Sequence, residues 1–538
     1  MMSNLRQNLD FIAELLQQAG VVSWAVSPGS RNAPIVAGML RRGDFKLHSF
    51  PDERCAGFAA LGMSLAEKYP AGVICTSGTA VLNLYPAICE AFYQRVPMLV
   101  ITADRPKELI DQWDGQTIHQ KDIFEKHILA SYEVPDLDDD FSMPELETLI
   151  YEAVNIACGP IPGPVHINIP LRDPIYSGIE EEFEFHSDLP DFIPFVSEKK
   201  IPDFSVLKSD LSQYNKILLL FGQEVPNIHV ENAVRNLQNA FPVFADVCSN
   251  LQTFSVKNWE CALSGSQVPE EFEPDLVISF GLSITSKSLK KYLQGLEFEH
   301  WHISPAGFVG DPFQSNPRII RNDPALFLES LIECGNESHQ NYCNLWKQHC
   351  MKTDTENPIF LKKQFLNEFL NVKHILHLTG KEHALHLANS MTVRYAGWAG
   401  NSTSEIYCNR GTSGIDGTMS TAIGYALKRP EQKVICVTGD IGFFYDANAL
   451  WTTLIPNNLR IIINNNFGGK IFEFIEGPNR IKELKPFVQT NHKMTASLIA
   501  AQYGLTYLSF QNSITNEAIE DFLNLPSAAI LEIIYPEK

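Results

Sequence analysis

Two polar stretches follow apolar runs in the C-terminal third of the chain. The run VICVT is followed by Gly439 and Asp440, and the run LRIII is followed by three asparagines, 464–466. If both runs are neighbouring parallel strands, a carboxylate and an amide lie together at the sheet edge where open α/β folds bind ligands. Their oxygens suit Mg²⁺, which also keeps phosphate oxygens among its ligands. The segment therefore predicts a site that holds a diphosphate through a divalent cation.

The spacing of these residues resembles the cofactor motif of thiamine-diphosphate-dependent enzymes, in which Gly-Asp is followed about 25 residues later by Asn-Asn. The resemblance implies that Mg²⁺ (or Mn²⁺) is bound by Asp440, Asn466 and the carbonyl group of Gly468. Ile441 and Phe467 depart from the usual motif, which has Gly at the first position and a small or polar residue at the second. Taken alone, Gly-Asp and Asn-Asn are common turn pairs, so two unrelated strand ends remain the alternative.

A carboxylate some 390 residues earlier, Glu53 in FPDERCAGFAALG, begins an apolar stretch rich in Ala and Gly. Thiamine catalysis requires a carboxylate beside the aminopyrimidine ring, and an apolar pocket would give it the raised pKa that this task needs. By itself, Glu53 is more simply interpreted as an acidic residue in a first helical turn. Paired with residues 434–469, it becomes the predicted cofactor-activating carboxylate.

Four arginines lie at or near the ends of predicted strands. Ser30 and Arg31 lie in SPGSRNAPI, Arg105 in TADRP, Arg394 in NSMTVR and Arg410 at the head of NRGTSGIDG. Arginine binds carboxylates through paired hydrogen bonds. One such arginine is best explained by a surface ion pair, but four in a chain of net charge -21 predict a polyanionic substrate.

Together these segments resemble one branch of the thiamine-diphosphate family, the synthases that make a menaquinone precursor. Further matching stretches are TSGTAVLNLYPAICEA, DGQTIHQKDIF, GPVHINIPLRDP, GDIGFFYDANAL and NNNFGGKIFEFI. The middle of the chain matches mainly through GLSITSKSLKKYL. The resemblance implies decarboxylation of 2-oxoglutarate and 1,4-addition of the resulting succinyl carbanion to isochorismate. It also implies a homodimer or homotetramer with active sites between subunits.

The resemblance assigns roles residue by residue. Glu53 is the catalytic residue, and Ile415 is the apolar wedge that bends the cofactor. Cofactor-binding positions are Glu53, Gly414, Ile415, Asp440, Asn466, Gly468 and Ile471. Substrate-binding positions are Ser30, Arg31, Arg105, Gln116, Lys287, Arg394, Arg410 and Phe472.

The alternation of apolar runs with helical patterns predicts the elements that must position these groups. We expect an α/β protein with three doubly wound domains of mostly parallel strands, a thiamine-diphosphate-binding fold. The expected divisions are a pyrimidine-binding domain (1–182), a linker (183–203), a central domain (204–350) and a diphosphate- and Mg²⁺-binding domain (359–538). Strands are predicted at 21–28, 71–78, 97–104, 165–170, 216–222, 242–246, 274–281, 300–305, 384–389, 433–440, 459–466 and 528–534.

The acidic balance, with a pI near 5.2, argues against non-specific nucleic-acid binding, which needs a basic face. No apolar run approaches the ~18 residues of a membrane span. The first 20 residues predict an amphipathic helix and lack the continuous apolar core of a signal peptide. The 11 scattered cysteines suit reduced thiols, and hence a cytoplasmic protein.

Three other interpretations compete with this one. The first is another thiamine enzyme, such as an acetolactate synthase or a simple 2-keto acid decarboxylase, which needs fewer cationic side chains. The second is a catalytically dead binding homologue, although Glu53, Asp440 and Asn466 are all present. The third is a zinc enzyme built on His374, His377, His383 and His386, without a supporting H-E-x-x-H motif or Cys pair.

Overall fold

The computed structural model describes residues 4–135, 137, 143–176, 191–194, 204–265, 268–305, 310–400, 402–473 and 480–535. Within these residues the chain forms three α/β domains, each built on one sheet, and all recorded strand pairings are parallel. The expected fold class is therefore confirmed. Most of the predicted linker 183–203 lies outside the described residues, so the division there stays a prediction.

The first domain has a six-stranded sheet in the order β2-β1-β3-β4-β6-β5. Its strands are β1 (Ser23–Val26), β2 (Lys46–Ser49), β3 (Ala71–Cys75), β4 (Met98–Asp104), β5 (Ala130–Glu133) and β6 (Pro164–Pro170). Its helices are α1 (Asn4–Gln18), α2 (Ala33–Arg42), α3 (Glu53–Glu67), α4 (Thr79–Asn83), α5 (Tyr85–Gln94) and α6 (Met143–Cys158). Strands β3, β4 and β6 are buried at every residue, as expected where helices cover both faces of a parallel sheet.

The second domain has a five-stranded sheet in the order β11-β10-β9-β7-β8. Its strands are β7 (Ile217–Phe221), β8 (Val243–Ala245), β9 (Leu276–Phe280), β10 (Glu299–Ile303) and β11 (Arg318–Ile320). Its helices are α7 (Phe204–Leu211), α8 (Ile228–Leu237), α9 (Trp259–Gly265), α10 (Lys287–Gln294), α11 (Pro324–Leu331) and α12 (Glu337–Met351). Helix α10 begins at Lys287, so the fold places this candidate substrate residue at a helix N-terminus.

The third domain has a six-stranded sheet in the order β13-β12-β14-β15-β17-β16. Its strands are β12 (His383–Leu387), β13 (Glu405–Tyr407), β14 (Lys433–Gly439), β15 (Leu459–Asn465), β16 (Thr506–Gln511) and β17 (Ala529–Ile534). Its helices are α13 (Leu366–Leu378), α14 (Met391–Ala399), α15 (Thr418–Lys428), α16 (Asp440–Tyr445), α17 (Lys485–Val488), α18 (Ser497–Gln502) and α19 (Asn516–Leu523).

Helix α3 of the first domain and helix α15 of the third domain pack against each other with their backbones in direct contact. A Cβ atom on Gly62 would lie 2.0 Å from the carbonyl oxygen of Thr421, and one on Gly424 would lie 1.9 Å from that of Ala59. Only glycine permits so close an approach. The contact fixes the start of α3, where Glu53 lies, relative to the loop that carries Ile415 into α15.

Candidate active site

The predicted metal site lies at the carboxyl ends of β14 and β15. The two strands pair in parallel, with Gly439 opposite Asn464, as the sequence predicted. Asp440 is the first residue of α16 and is buried; its carboxylate accepts hydrogen bonds from the backbone N–H of Ile441 and of Gly468, both at 2.8 Å. Burial raises the pKa of Asp440, and these hydrogen bonds partly reverse that rise. A buried carboxylate is thus held in place beside the turn that follows β15.

The three asparagines after β15 differ in the partners of their amide oxygens. Asn464 accepts a hydrogen bond from the hydroxyl of Tyr535 at 2.9 Å, and Asn465 accepts one from the backbone N–H of Phe467 at 3.0 Å. The Oδ1 of Asn466 is buried and has no partner among the described residues. Of the three side chains, Asn466 therefore has the oxygen that is open to a ligand.

The turn after Asn466 carries the third predicted ligand, the main-chain carbonyl of Gly468, which accepts a hydrogen bond from the backbone N–H of Lys470 at 2.9 Å. Gly468 has φ +155°, and a Cβ there would lie 2.7 Å from the side chain of Asn491, so this position excludes larger residues. Phe467 has φ +61°, a left-handed conformation that favours glycine, so the sequence departure noted at this position carries backbone strain. A carboxylate, an unpaired amide oxygen and a carbonyl form an all-oxygen set that fits Mg²⁺ and a diphosphate.

His492 contacts the same carboxylate, and no sequence signal identified it. Its Nδ1 accepts a hydrogen bond from the backbone N–H of Met494 at 3.1 Å, so the proton is on Nε2, which lies 3.1 Å from Asp440. The Nε2–H group therefore donates to the Oδ2 atom of Asp440. With the two backbone N–H groups this makes three donors, which leaves about one of the carboxylate's four lone pairs, on Oδ1, for a cation.

The loop before α15 is held by Asn389, another residue that sequence reasoning did not single out. Its Nδ2 donates to the carbonyls of Asn409 (2.7 Å) and Gly414 (2.8 Å), and its Oδ1 accepts from Arg410 at 2.9 Å. Ile415, next in the chain, is 42% exposed, and its carbonyl faces Gly442 on α16. Asn389 thus sets the position of both a candidate substrate arginine and the predicted apolar wedge.

A cationic cluster forms where the second and third domains meet. Burial lowers the pKa of Arg394, and the charge of Arg410 lowers it further. Burial likewise lowers the pKa of Lys287, as do the charges of Arg394 and Arg410. Burial and the charges of Arg410, Lys287 and Arg394 lower the pKa of Lys290 as well, while two carboxylates act in the opposite direction, Asp246 on Lys290 and Glu260 on Arg394. Cations that depress one another's pKa in this manner favour binding of an anion among them.

The candidate substrate residues of the first domain form a separate group. Arg31 is buried and donates to the carbonyl of Leu171 and to Asp173 at 3.0 Å. Arg105 forms an ion pair with Asp114 at 3.3 Å and donates to the carbonyl of Gly115 at 3.0 Å. Ser30 and Gln116 are at least partly exposed. Within the described ranges, no hydrogen bond or ion pair joins this group to the cationic cluster.

Glu53 is the first residue of α3 but does not cap it. Asp52 accepts the capping hydrogen bonds from the backbone N–H of Arg54 and Cys55. The Glu53 carboxylate accepts one hydrogen bond, from Asn83 at 3.4 Å, and its side chain is only partly buried in the single chain. The apolar pocket expected around it is thus incomplete within one copy of the chain.

A buried carboxylate, Glu90 on α5, joins the first domain to the loop that carries Arg410. It accepts hydrogen bonds from the backbone N–H of Gly411, the backbone N–H of Thr412 and the hydroxyl of Thr412, all at 2.7 Å. Its only sequence signal was its place in the segment YPAICEA, which does not distinguish it from a helix surface residue. Glu90 fixes this loop across the domain boundary.

The last two predicted residues lie just beyond the metal site. Ile471 packs against the core of the third domain. Phe472 is partly buried, with its ring beside Gly469. Both belong to the short 3₁₀ helix Lys470–Glu473.

Neither a zinc site nor a membrane span is found in the part of the chain that the structure describes. No group of three or more His, Cys, Asp or Glu residues there is arranged to hold a metal ion, which removes the support for the zinc interpretation. His386 instead stacks on Tyr407, with ring centroids 5.1 Å apart. No described helix combines the length and apolar character needed to cross a bilayer.

Comparison with known proteins identifies the class of enzyme. Residues 7–124 match the family model "Thiamine pyrophosphate enzyme, N-terminal TPP binding domain", and residues 389–533 match the corresponding C-terminal TPP binding domain. These matches cover the domain that carries Glu53 and the domain that carries Asp440. The fold and the two domain matches define a thiamine-pyrophosphate enzyme, whose cofactor is thiamine diphosphate with a divalent metal ion.

Relatives that align along nearly the whole chain identify the family within this class of enzymes. A 2-succinyl-5-enolpyruvyl-6-hydroxy-3-cyclohexene-1-carboxylate synthase of Cytophaga hutchinsonii is 39% identical, covering 97% of this chain and 95% of the relative. Synthases with the same name from Bacteroides fragilis (36% identical) and Flavobacterium psychrophilum (34% identical) each cover 98% of this chain and 96% of the relative. The chain belongs to this synthase family.

Proposed function

We propose that this chain catalyses the loss of CO₂ from 2-oxoglutarate and the 1,4-addition of the remaining four-carbon unit to isochorismate. The observation that carries this proposal is the cationic cluster of Lys287, Arg394 and Arg410 at the edge of the cofactor-binding domain. The two substrates together bring four carboxylates, of which one leaves as CO₂. Each charge-assisted hydrogen bond to such a group contributes about 1.5–3 kcal/mol. An enzyme acting on pyruvate alone has no need of three such cations.

The metal ion and diphosphate are proposed to bind at the ends of β14 and β15. Asp440, the Oδ1 of Asn466 and the carbonyl of Gly468 would supply the protein ligands, and Gly414 and Ile471 would contact the cofactor. The unpaired, buried amide oxygen of Asn466 supports this assignment. The preference between Mg²⁺ and Mn²⁺ is open, since both accept all-oxygen ligand sets.

Thiamine diphosphate supplies a carbon nucleophile and an electron sink, which is the chemistry that keto-acid decarboxylation requires. The chain's residues orient the reactants around it. Glu53 would share a proton with a nitrogen atom of the cofactor's pyrimidine ring, and Ile415 would pack against the cofactor. Lys287, Arg394 and Arg410 bind substrate carboxylates, and Phe472 forms an apolar wall that excludes water. Ser30, Arg31, Arg105 and Gln116 complete the pocket.

Two copies of the chain are proposed to build each site. Glu53 is partly exposed, and three exposed apolar side chains, Leu82, Tyr445 and Trp451, lie in segments that contact residues 49–54. A second copy that covers this face would complete the pocket around Glu53 of the first copy. It would also place the cations of its third domain near Arg31 and Arg105 of the first copy. Such a two-fold arrangement gives a homodimer, or a homotetramer when two dimers join.

The unpaired state of all 11 cysteines is compatible with a cytoplasmic location.

An assay of substrate specificity tests the proposed reaction. The purified protein with thiamine diphosphate and Mg²⁺ is given 2-oxoglutarate, with or without isochorismate, and CO₂ release and product mass are measured. We expect turnover with 2-oxoglutarate to rise when isochorismate is added, with formation of the adduct. Equal or faster CO₂ release from pyruvate, without use of isochorismate, would favour an acetolactate synthase or a simple decarboxylase.

A further inference from the structure

A buried carboxylate behind the metal site contacts the side chain that is proposed to bind the cation. Glu368, on α13, is 3% exposed. Its Oε1 and Oε2 lie 3.1 Å and 3.3 Å from the Nδ2 of Asn466. No Lys, Arg or His forms an ion pair with this carboxylate within the described ranges. Its polar contacts are with Asn466 and with the hydroxyl of Tyr395, at 3.3 Å.

The geometry of this contact favours one orientation of the Asn466 amide. Its Nδ2 faces both carboxyl oxygens of Glu368, each of which can accept a hydrogen bond from the NH₂ group. The amide oxygen must then point the opposite way, and it is this oxygen that is buried without a partner among the described residues. Without Glu368, the amide could rotate by a half turn and present its NH₂ group, which cannot bind a cation. The contact therefore decides which end of Asn466 reaches the metal.

The same carboxylate also contacts the helix that presents a substrate residue. Tyr395, on α14, directly follows Arg394 in the chain and is itself buried. Its hydroxyl donates to the Oε2 of Glu368, which also receives the Asn466 amide. One buried side chain thus links the end of β15 with α14.

We propose that Glu368 is a positioning residue that orients the metal-binding oxygen of Asn466. This role rests on the proposed function, because it requires the cation to bind at Asn466. Glu368 does not touch the cation or the substrate; it acts through Asn466. Groups that orient a metal ligand from behind typically change metal affinity about 10- to 100-fold when substituted.

Two substitutions of Glu368 distinguish the effect of the carboxylate's position on Mg²⁺ affinity from the effect of its charge. Glu368→Gln keeps the shape but removes the carboxylate, and Glu368→Asp keeps the charge but shortens the side chain by one methylene group. We expect both to weaken the apparent affinity for Mg²⁺ by about 10- to 100-fold at saturating thiamine diphosphate, measured by calorimetric titration of the full-length protein. Near-normal Mg²⁺ affinity in the Asp variant would mean that charge alone matters and would overturn the proposal.

The matched control is Tyr395→Phe, which removes the other hydrogen bond to the same carboxylate and leaves the Asn466 contact in place. We expect its Mg²⁺ affinity to stay within about threefold of the unmodified protein, since the Asn466 amide remains oriented. An equal loss of Mg²⁺ affinity in this variant would indicate general loosening of the site and not orientation of Asn466. The melting temperature of each metal-free variant reports any loss of folding separately.

A reversed pair gives the sharpest test and remains informative if Glu368→Gln alone folds poorly. In Glu368→Gln/Asn466→Asp, the donor and acceptor exchange places, so that the new amide donates to the new carboxylate. We expect Asn466→Asp to improve Mg²⁺ binding much more in the Glu368→Gln background than in the unmodified one, where two carboxylates would face each other. An equal effect in both backgrounds would overturn the proposal. Absence of Mg²⁺-dependent cofactor binding in the unmodified protein would instead refute the proposed function.

Discussion

The role of Glu53 can be tested separately from cofactor binding. In Glu53→Gln the amide cannot share a proton with the pyrimidine ring as a carboxylate does, while the diphosphate contacts some 390 residues away in the chain remain intact. We expect the variant to bind thiamine diphosphate with an affinity within about threefold of normal and to lose about 10²-fold or more in C2 proton exchange, followed by NMR in D₂O. Exchange at the normal rate would show that Glu53 is an ordinary first-turn residue.

The cationic cluster is expected to bind substrate and not cofactor. Arg394→Ala and Arg410→Ala each remove one charge-assisted contact, so kcat/KM for the keto acid and isochorismate falls by about 10- to 100-fold. The dissociation constant of thiamine diphosphate, measured by fluorescence titration, stays nearly unchanged. Arg235→Ala, which removes an exposed arginine paired with Glu231, serves as the control and leaves both quantities unaltered. Loss of cofactor binding in both cluster variants would contradict the assignment.

Residue types and spacing were enough to propose Glu53, Asp440 and the arginines, but not the residues that orient them. Asn389 and Glu90 lie within matched segments but were not singled out, and Glu368 and His492 lie in no quoted segment, because the roles of all four depend on contacts between segments far apart in the chain. The register of the asparagine run shows the same limit. Three adjacent asparagines are chemically identical in sequence, and only their hydrogen-bond partners distinguish Asn466.

At the scale of elements, sequence patterns located every central strand and one edge strand, β8, and missed the other five edge strands. All 12 predicted strands occur, whereas β2, β5, β11, β13 and β16 were not predicted, and each of these five lies at the end of its sheet. Edge strands are short or half exposed, so they lack the continuous apolar runs of strands covered on both faces. Strand β16, for example, is exposed or partly exposed at every residue.

The close packing of α3 against α15 makes a prediction at the same scale. Gly62→Ala would place a methyl group 2.0 Å from the Thr421 carbonyl, so the helices must separate. We expect the free energy of unfolding to fall by about 1–3 kcal/mol, seen as a lower melting temperature by calorimetry. Gly310→Ala is the control, because a Cβ there meets no atom of the described residues within 4 Å. An unchanged melting temperature for Gly62→Ala would show that α3 and α15 can move apart at little cost in free energy.

At the scale of the whole molecule, the two groups of candidate substrate residues support the proposal that each site is built from two chains. The first-domain group around Arg31 and Arg105 and the cluster of Lys287, Arg394 and Arg410 share no hydrogen bond or ion pair within the described residues of one copy. Glu53 is likewise open to solvent on one side, next to exposed apolar side chains. A second copy related by two-fold symmetry accounts for both features at once, because each site then takes one wall from each chain.

Hybrid dimers provide the decisive test of this arrangement. Chains carrying Glu53→Gln are co-expressed with chains carrying Asp440→Ala under two different affinity tags, and the doubly tagged dimer is purified. If sites lie between subunits, one of the two sites in the hybrid has both Glu53 and Asp440, and the dimer shows about half of normal activity. If each site lies within one chain, every site has a lesion and the hybrid is inactive. Each parental homodimer, which must be inactive in either case, is the control.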